Sequence, residues 1–533
     1  MHQHCILPKT AKIIVSCPFS TVASTTVTAT STVAKSTREK MSTNKLKDGL
    51  QKRANATVNH KGAKSNKSSL NNCVDLFGSI GSMRARSDQE VINAFSAAYG
   101  EDPTKALKIL FWARDVRGGA GERKVPRTIY NYLANVHKDA LARNINLIPE
   151  YGRWDDYFAL RGTSLWSLAK EVILEQFQED LEAEFPSLLA KWMPSANTSS
   201  AATRELAREF IKDLEVDEKS YRKALSSLRA RLNVVEREMC SGNWSEIDYE
   251  KIPSRAAMIY RKAFGRHDIE TDQRYQKYLE KVEKGDAKIQ TSTLYPYDLI
   301  RKTYGKSFDQ TISLQWDNLP NYVTPFNGLV LADQSGSMGS SGYYGGRNDS
   351  VSPIDVALSL SIYIAERNEG VWKDCYMPFS SSAELVTIKG SNIYEKVAHL
   401  NEKGGYWGST NLQAAFDLIL STAVANNIDA DEMIDTLFIV SDMQFDQACD
   451  NTGTNYEAAK KKFEAAGYKF PEVVFWNVNA YGKDQPVTKD DRGTCLVSGA
   501  SPSILKSALA VEVMTPVDMM DAVIESERYA AVE

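Results

Sequence analysis

The sequence predicts an α + α/β multidomain chain: a helical, repeat-like N-terminal block followed by a doubly wound, mostly parallel α/β domain. Three observations carry that prediction. From about Asn71 to Tyr322 apolar residues recur at helical spacing, with short Gly, Pro or Asn breaks between the periodic stretches. After "NLPNYVTPFNG" (318–328) the pattern changes to short β-rich runs separated by long helical connections, which implies a parallel sheet covered on both faces. The charge balance changes at the same place: residues 71–326 hold 37 Lys+Arg against 37 Asp+Glu, whereas residues 327–533 hold 15 against 29. A balanced block and an acidic domain are expected to have different partners.

In chain order, residues 1–70 read as a disordered basic tail. They hold 12 Lys+Arg against 2 Asp+Glu and are rich in Ser, Thr and Ala, with "TVASTTVTATSTVAKST" at the centre. Met41 opens a plausible alternative start, and the acid-poor beginning leaves organelle targeting open beside an otherwise cytoplasmic expectation. Residues 71–324 form the helical domain. In "WSLAKEVILEQFQEDLEAEF" Ile173, Phe177 and Leu181 share one line while Glu175, Gln178, Glu179 and Glu182 fall outside it. Further amphipathic stretches fall at 90–97, 104–113, 127–141, 203–214, 219–239 and 254–283. No strict repeat period is visible, so an irregular repeat array competes with a single bundle. Residues 325–533 form the α/β domain, with strands expected at 328–333, 374–379, 384–388, 436–441, 472–478 and 494–498. Helices are expected at 353–368, 411–425, 454–466, 502–509 and 516–527.

Composition narrows the chemistry. Seven cysteines are scattered without a CxxC pair, which argues against a disulfide scaffold and a zinc site. The six histidines show no HExxH spacing. No run approaches the roughly 18 consecutive apolar residues of a membrane span, so no membrane partner is expected.

The run "NGLVLADQSGSMGS" ends an apolar strand in one carboxylate and a cluster of hydroxyls, Asp333, Ser335 and Ser337. "WGSTNLQAA" places Thr410 at the start of a helix, and "LFIVSDMQF" places Asp442 just past another apolar strand. In open α/β sheets ligands bind beyond the carboxyl ends of the strands. Few charged groups with several hydroxyls suit a hard cation, Mg²⁺ or Mn²⁺, whereas softer metals would want His or Cys. Taken singly, each position also suits an ordinary Asp/Ser turn or a helix N-cap at Thr410.

Together, DxSGS at 333–337, GSTN at 408–411 and the strand-ending Asp442 resemble the metal-ion-dependent adhesion site of von Willebrand factor A domains, over roughly residues 325–533. The resemblance implies that Ser335 and Ser337 bind metal directly. It implies that Thr410 binds directly or through water, and Asp333 and Asp442 largely through water. Two carboxylates with three hydroxyls would leave a divalent ion able to accept another anionic oxygen, so a protein partner that offers an Asp or Glu to the metal is expected. One departure is the long Gly-rich continuation "GSSGYYGGRNDS".

The helical half carries "ILFWARDVRGGAGERK", "LIPEYGRWDD", "LLAKWMPSANTSS", "KIPSRAAMIYRKAFGRHD" and "YPYDLI". With the downstream domain these phrases resemble a family of unknown function that joins a helical block to an A domain. More distantly, the layout is similar to the Ro/TROVE module, which implies RNA binding. The residues permit that reading. Arg255, Arg261, Lys262 and Arg266 alternate with Tyr260 and Phe264, offering cations for phosphates and rings for bases, although an amphipathic helix explains the same spacing. "RDVRGGAGERK" is no Walker loop; its glycines and Arg114, Arg117, Arg123 and Lys124 suit either a basic turn or a phosphate contact.

The favoured expectation is a noncatalytic RNA-binding scaffold whose helical block holds small or single-stranded RNA and whose A domain recruits a protein through metal. The alternative is a metal-dependent interaction or assembly module without nucleic acid. An enzyme ranks third, because no G-x-S-x-G elbow exists and no histidine is assignable as a base.

Overall fold

The structure, a computed structural model, describes residues 45–232, 234–339, 352–403, 408–447, 453–509 and 515–533. Its strands are β1 (Ala56–Val58), β2 (Lys64–Asn66), β3 (Gly328–Asp333), β4 (Cys375–Phe379), β5 (Val386–Thr387), β6 (Thr436–Ser441), β7 (Glu472–Asn477) and β8 (Thr494–Ser498). Every residue of β3 and β8 is buried, which is why these runs read as continuously apolar or small rather than alternating.

Strands β3 to β8 make one six-stranded sheet in the order β5-β4-β3-β6-β7-β8. All neighbouring pairs are parallel except β4 with β5. The chain leaves β3 through the helix Pro353–Arg367 to β4 on one side, and later returns to β6 on the other. The strand order therefore reverses between β3 and β6, and the carboxyl ends of those two strands flank the crevice where such sheets take ligands.

The first half is helical, and three of the long expected helices break in two. The stretch 127–141 becomes Lys124–Val136 and Lys138–Arg143, because His137 leaves helical geometry at φ −129°. The stretch 254–283 becomes Ser254–Phe264 and Ile269–Lys284, where Asp268 accepts from the Thr271 amide and starts a new helix. The stretch 219–239 ends its first helix at Arg231 and restarts at Val235. In the α/β domain the helix Ile393–Lys403 adds to the expected set. Its signal is local: the Asn392 side chain accepts from the Glu395 amide at 3.1 Å while Glu395 accepts from the Ser391 amide at 2.8 Å.

The tail expectation needs correcting at its end. Residues 56–66 form a hairpin of β1 and β2, and the chain from Asn55 to Leu70 is tied by side-chain hydrogen bonds. Composition misses this because the hairpin has almost no apolar core of its own; it is held by polar contacts to the α/β domain, described below. Residues 1–44 and the Gly-rich continuation at 340–351 lie outside the described residues.

The helical block packs on the sheet from its first helix onward. Asn72–Ile80 lies on β8, where Ser498 Oγ donates to Phe77 O at 2.7 Å and accepts from the Gly81 amide at 3.0 Å. A Cβ at Gly81 would come within 2.6 Å of Ser498 O, so this approach requires glycine. At the other end of the block, Tyr304 Oη donates to Asp355 Oδ1 at 2.8 Å and Trp316 Nε1 to Glu366 Oε1 at 2.7 Å, both on Pro353–Arg367. A second, smaller core gathers Tyr249, Phe264, Tyr275 and Tyr278.

Candidate metal centre

Asp333 is the last residue of β3 and is fully buried. Its Oδ1 accepts from the Ser335 amide at 2.9 Å and its Oδ2 from Ser441 Oγ at 2.5 Å, so the carboxylate is held between the two strand ends. The Ser335 and Ser337 hydroxyls lie 3.0 Å apart on the loop that follows. Asp442 is the residue after β6 and is also buried. Its Oδ1 accepts from the Gln444 amide at 3.1 Å, while its buried Oδ2 has no hydrogen-bond partner among the described residues. Met443 beside it adopts φ 64°, a conformation that costs a non-glycine residue on the order of 1 kcal/mol. The Met443 amide donates to Ser441 Oγ at 3.1 Å, which helps hold the turn.

Thr410 is fully buried, and it is not the helix cap. Asn411 caps Leu412–Asn426, its Oδ1 accepting from the Ala414 amide at 3.1 Å, so the Thr410 hydroxyl is spared for other work. The loop before it closes tightly on the β4 end: a Cβ at Gly408 would meet Ser381 Oγ at 2.3 Å, and the Asn411 amide donates to Ser380 O at 2.8 Å.

Burial and the neighbouring Asp442 push the Asp333 carboxyl well above the usual carboxylate range. Burial also raises Asp442, against the Gln444 amide, Ser337 and Lys61, which favour its charged form. Two buried carboxylates side by side are relieved by a retained proton or by a cation, and the Asp442 Oδ2, without a hydrogen bond from the described residues, is open to a donor or a metal. Two carboxylates and three hydroxyls are hard oxygen donors, so the set fits Mg²⁺ or Mn²⁺ better than a soft ion. Among the described residues no group of three or more His, Cys, Asp or Glu stands together, here or elsewhere; this site has two carboxylates, and its other donors are hydroxyls.

One group without a sequence signature enters this site. Lys61, in the turn between β1 and β2, donates from Nζ to Thr410 Oγ1 and lies 3.5 Å from Ser337 Oγ. No local signal marks it, because the contact spans 349 residues of chain.

A family profile described as domain of unknown function DUF2828 matches residues 58–157 and 168–323, and one described as DUF7788 matches residues 327–530. The uncharacterized protein L728 of Acanthamoeba polyphaga mimivirus is 32% identical over 518 residues, covering 89% of this chain and 88% of its own. The chain belongs to this DUF2828–DUF7788 family. Among solved structures, the Ro (RSR) protein of Deinococcus radiodurans aligns over 85% of this chain and 93% of its own, at 12% identity and a TM-score of 0.32. A likeness that weak transfers neither fold nor function.

The DUF7788 match, from Asn327 to Ala530, contains all five expected metal ligands, and the fold brings them together. The six RNA-contact candidates lie in the DUF2828 region, on or just after the helix Ser254–Phe264, and the fold gives them different surroundings. Phe264 is fully buried in the second core, packed edge-on against Trp244 and Tyr249, so it offers no face to a base. Arg261 is buried, with Nε 2.6 Å from Asp309 Oδ2 and a bond to Met258 O, so it is not available to a phosphate. Tyr260 Oη donates to Glu236 at 3.2 Å, and Arg255 pairs with Asp298 at 2.8 Å. Lys262 and Arg266 are exposed. Periodicity alone could not separate these roles, since a core ring and a stacking ring share the same helical spacing.

The other basic phrases converge instead. "RDVRGGAGERK" and "RWDD" meet where Arg114 and Arg127 both grip Asp156 at 2.6 Å while Arg123 and Arg127 reach Asp155 at 2.8 Å. Arg123, Lys124 and Arg127 also line an open cavity of about 660 Å³ with Asp88, Thr128 and Asn131.

Proposed function

We propose that this protein is a noncatalytic scaffold that holds Mg²⁺ or Mn²⁺ at the ends of β3 and β6 and uses the ion to capture an Asp or Glu of a protein partner. One observation carries this reading: Asp333, Ser335, Ser337, Thr410 and Asp442 arrive from three separate loops at the switch point of the sheet, with the Asp442 Oδ2 buried and given no hydrogen bond by the described residues. In the adhesion-site pattern, Ser335, Ser337 and Thr410 supply neutral oxygens and the two aspartates supply charge. Two carboxylates balance a divalent ion without saturating it, which leaves it able to accept one more anionic oxygen. When bound, the metal acts as an electrostatic clamp; the chain's own part is to hold the donors in place.

The test is capture of a partner by full-length protein with Mg²⁺, with EDTA, and with Asp333→Ala. Capture that needs both the metal and Asp333 supports the reading. Capture unchanged by EDTA overturns it.

RNA binding by the helical block is a second reading, favoured by the cavity at Arg123, Lys124 and Arg127. The Arg123 side chain is 54% exposed, the helix Lys124–Val136 begins without a side-chain cap, and three cations at its start line the same opening. Cations at the positive end of a helix are unfavourable unless an anion joins them. Asp155 and Asp156 supply part of that charge, and a phosphate would supply more. On this reading the RNA surface lies near residues 123–131 rather than 255–266. Loss of RNA affinity and of salt dependence in Arg123→Gln/Lys124→Gln tests it, and unchanged binding rejects it.

A further inference from the structure

The N-terminal hairpin ends in a tight turn whose apex is aimed at the metal centre. Asn59 Oδ1 accepts from the amides of Lys61 (2.9 Å) and Ala63 (2.8 Å), and the Gly62 amide donates to Asn59 O at 3.0 Å. Gly62 takes φ +82°, which the turn requires. This geometry presents Lys61 at the tip.

The tip is bound to the segment that carries Asp442. Asn59 Nδ2 donates to Phe445 O at 2.6 Å, the His60 amide to Gln444 Oε1 at 3.3 Å, and Gly62 bridges to Asp446. Farther along, Ser65 Oγ donates to Asp484 Oδ2 at 2.7 Å, and the Asn66 and Gln485 amides exchange backbone bonds at 3.0 and 2.8 Å. With strands of three residues the hairpin has little stability alone, so its position depends on these contacts.

We propose that Lys61 is an internal occupant of the cation seat, and that a divalent ion and the docked hairpin compete for it. The proposal rests on the metal reading above. Three features support it. The ammonium uses Thr410 Oγ1 and approaches Ser337 Oγ, two of the five donors a metal would need. A lysine ammonium is donor-only, so lone pairs directed at it are withheld from a metal. One positive charge beside two buried carboxylates leaves the seat one charge short, which a divalent ion supplies in full. The hairpin is therefore a gate: docked, it occupies two of the donors and offsets part of the aspartates' charge; displaced, it opens the seat to the ion and its partner. Linkage requires the reciprocal effect, that metal binding weakens hairpin docking.

The experiment titrates full-length protein with Mn²⁺, following free Mn²⁺ by electron paramagnetic resonance, for the natural sequence, Lys61→Met and Asp333→Ala. Methionine keeps the apolar stem and removes the charge. A seat closed about nine-tenths of the time lowers apparent affinity about tenfold, so Lys61→Met is expected to bind Mn²⁺ about tenfold or more tightly than the natural sequence. Hydrogen exchange in residues 56–66 of the natural protein is expected to rise as Mn²⁺ is added, a readout that does not depend on any variant folding. Equal, Asp333-dependent affinity in the natural sequence and Lys61→Met, with hairpin exchange unchanged, overturns the gate and leaves the metal centre standing. Weaker binding by folded Lys61→Met also overturns it. Absence of binding in both overturns the metal centre, and the gate with it.

Discussion

Tyr529 Oη donates to Asp115 Oδ2 at 2.9 Å, joining the C-terminal turn of the α/β domain to the first basic loop of the helical block. Asp115 is fully buried and is also bonded by Arg528, whose Nη2 lies 2.7 Å from Oδ1. The loop that reads as either a basic turn or a phosphate contact therefore spends its carboxylate on Arg528 and Tyr529.

Tyr529→Phe is expected to cost about 1.5 to 3 kcal/mol, the value of one hydrogen bond to a charged group. Removing residues 528–533 is expected to cost about 3 to 5 kcal/mol, because Asp115 would be left buried and uncompensated. Urea denaturation of full-length and truncated protein checks both. Equal midpoints would show that the C-terminal turn does not tie the two halves.

Mn²⁺ at a hundredfold excess over its dissociation constant is expected to stabilise the protein by about 2.7 kcal/mol. Asp333→Ala is expected to abolish that gain, whereas Ser335→Ala and Thr410→Ala reduce it, since each removes only a neutral donor. Thermal unfolding with and without metal measures it. A metal-induced shift that survives in Asp333→Ala places the ion elsewhere.

Arg123→Gln/Lys124→Gln is expected to flatten the dependence of RNA affinity on salt by roughly 0.7 in log–log slope for each phosphate that is no longer neutralised. Lys262→Gln/Arg266→Gln is expected to change it less, because neither residue lines the basic cavity. Filter binding at several salt concentrations distinguishes the surfaces. Arg127 is unsuited to the test, since its loss would also unbalance the buried Asp156.

Gly81→Ala is expected to destabilise by about 1 to 3 kcal/mol through overpacking against Ser498 O, backbone that has no rotamer to yield. Gly162→Ala, in open space but at φ +83°, is expected to cost about 1 kcal/mol from backbone strain alone. Chemical denaturation of the pair separates close approach from conformation.

Local information was enough for much of this protein. Apolar runs ending in Asp333 and Asp442 identified β3, β6 and the carboxyl ends where ligands bind, because a strand buried on both faces leaves a continuous apolar record. The helical character of residues 71–322 was equally legible from period alone. Other decisions needed the folded chain. Phe264 and Arg261 share the spacing of exposed binding residues, and only packing against Tyr249 and pairing with Asp309 made them core. The hairpin at 56–66 looked like more of a polar tail, because its stability comes from hydrogen bonds to Gln444, Phe445 and Gln485 rather than from apolar area. Lys61 is the clearest case: its composition says only that the tail is basic. Its place beside Thr410 was decided by tertiary structure, because a charge is specified by what surrounds it in space, and that partner lies 349 residues away in sequence.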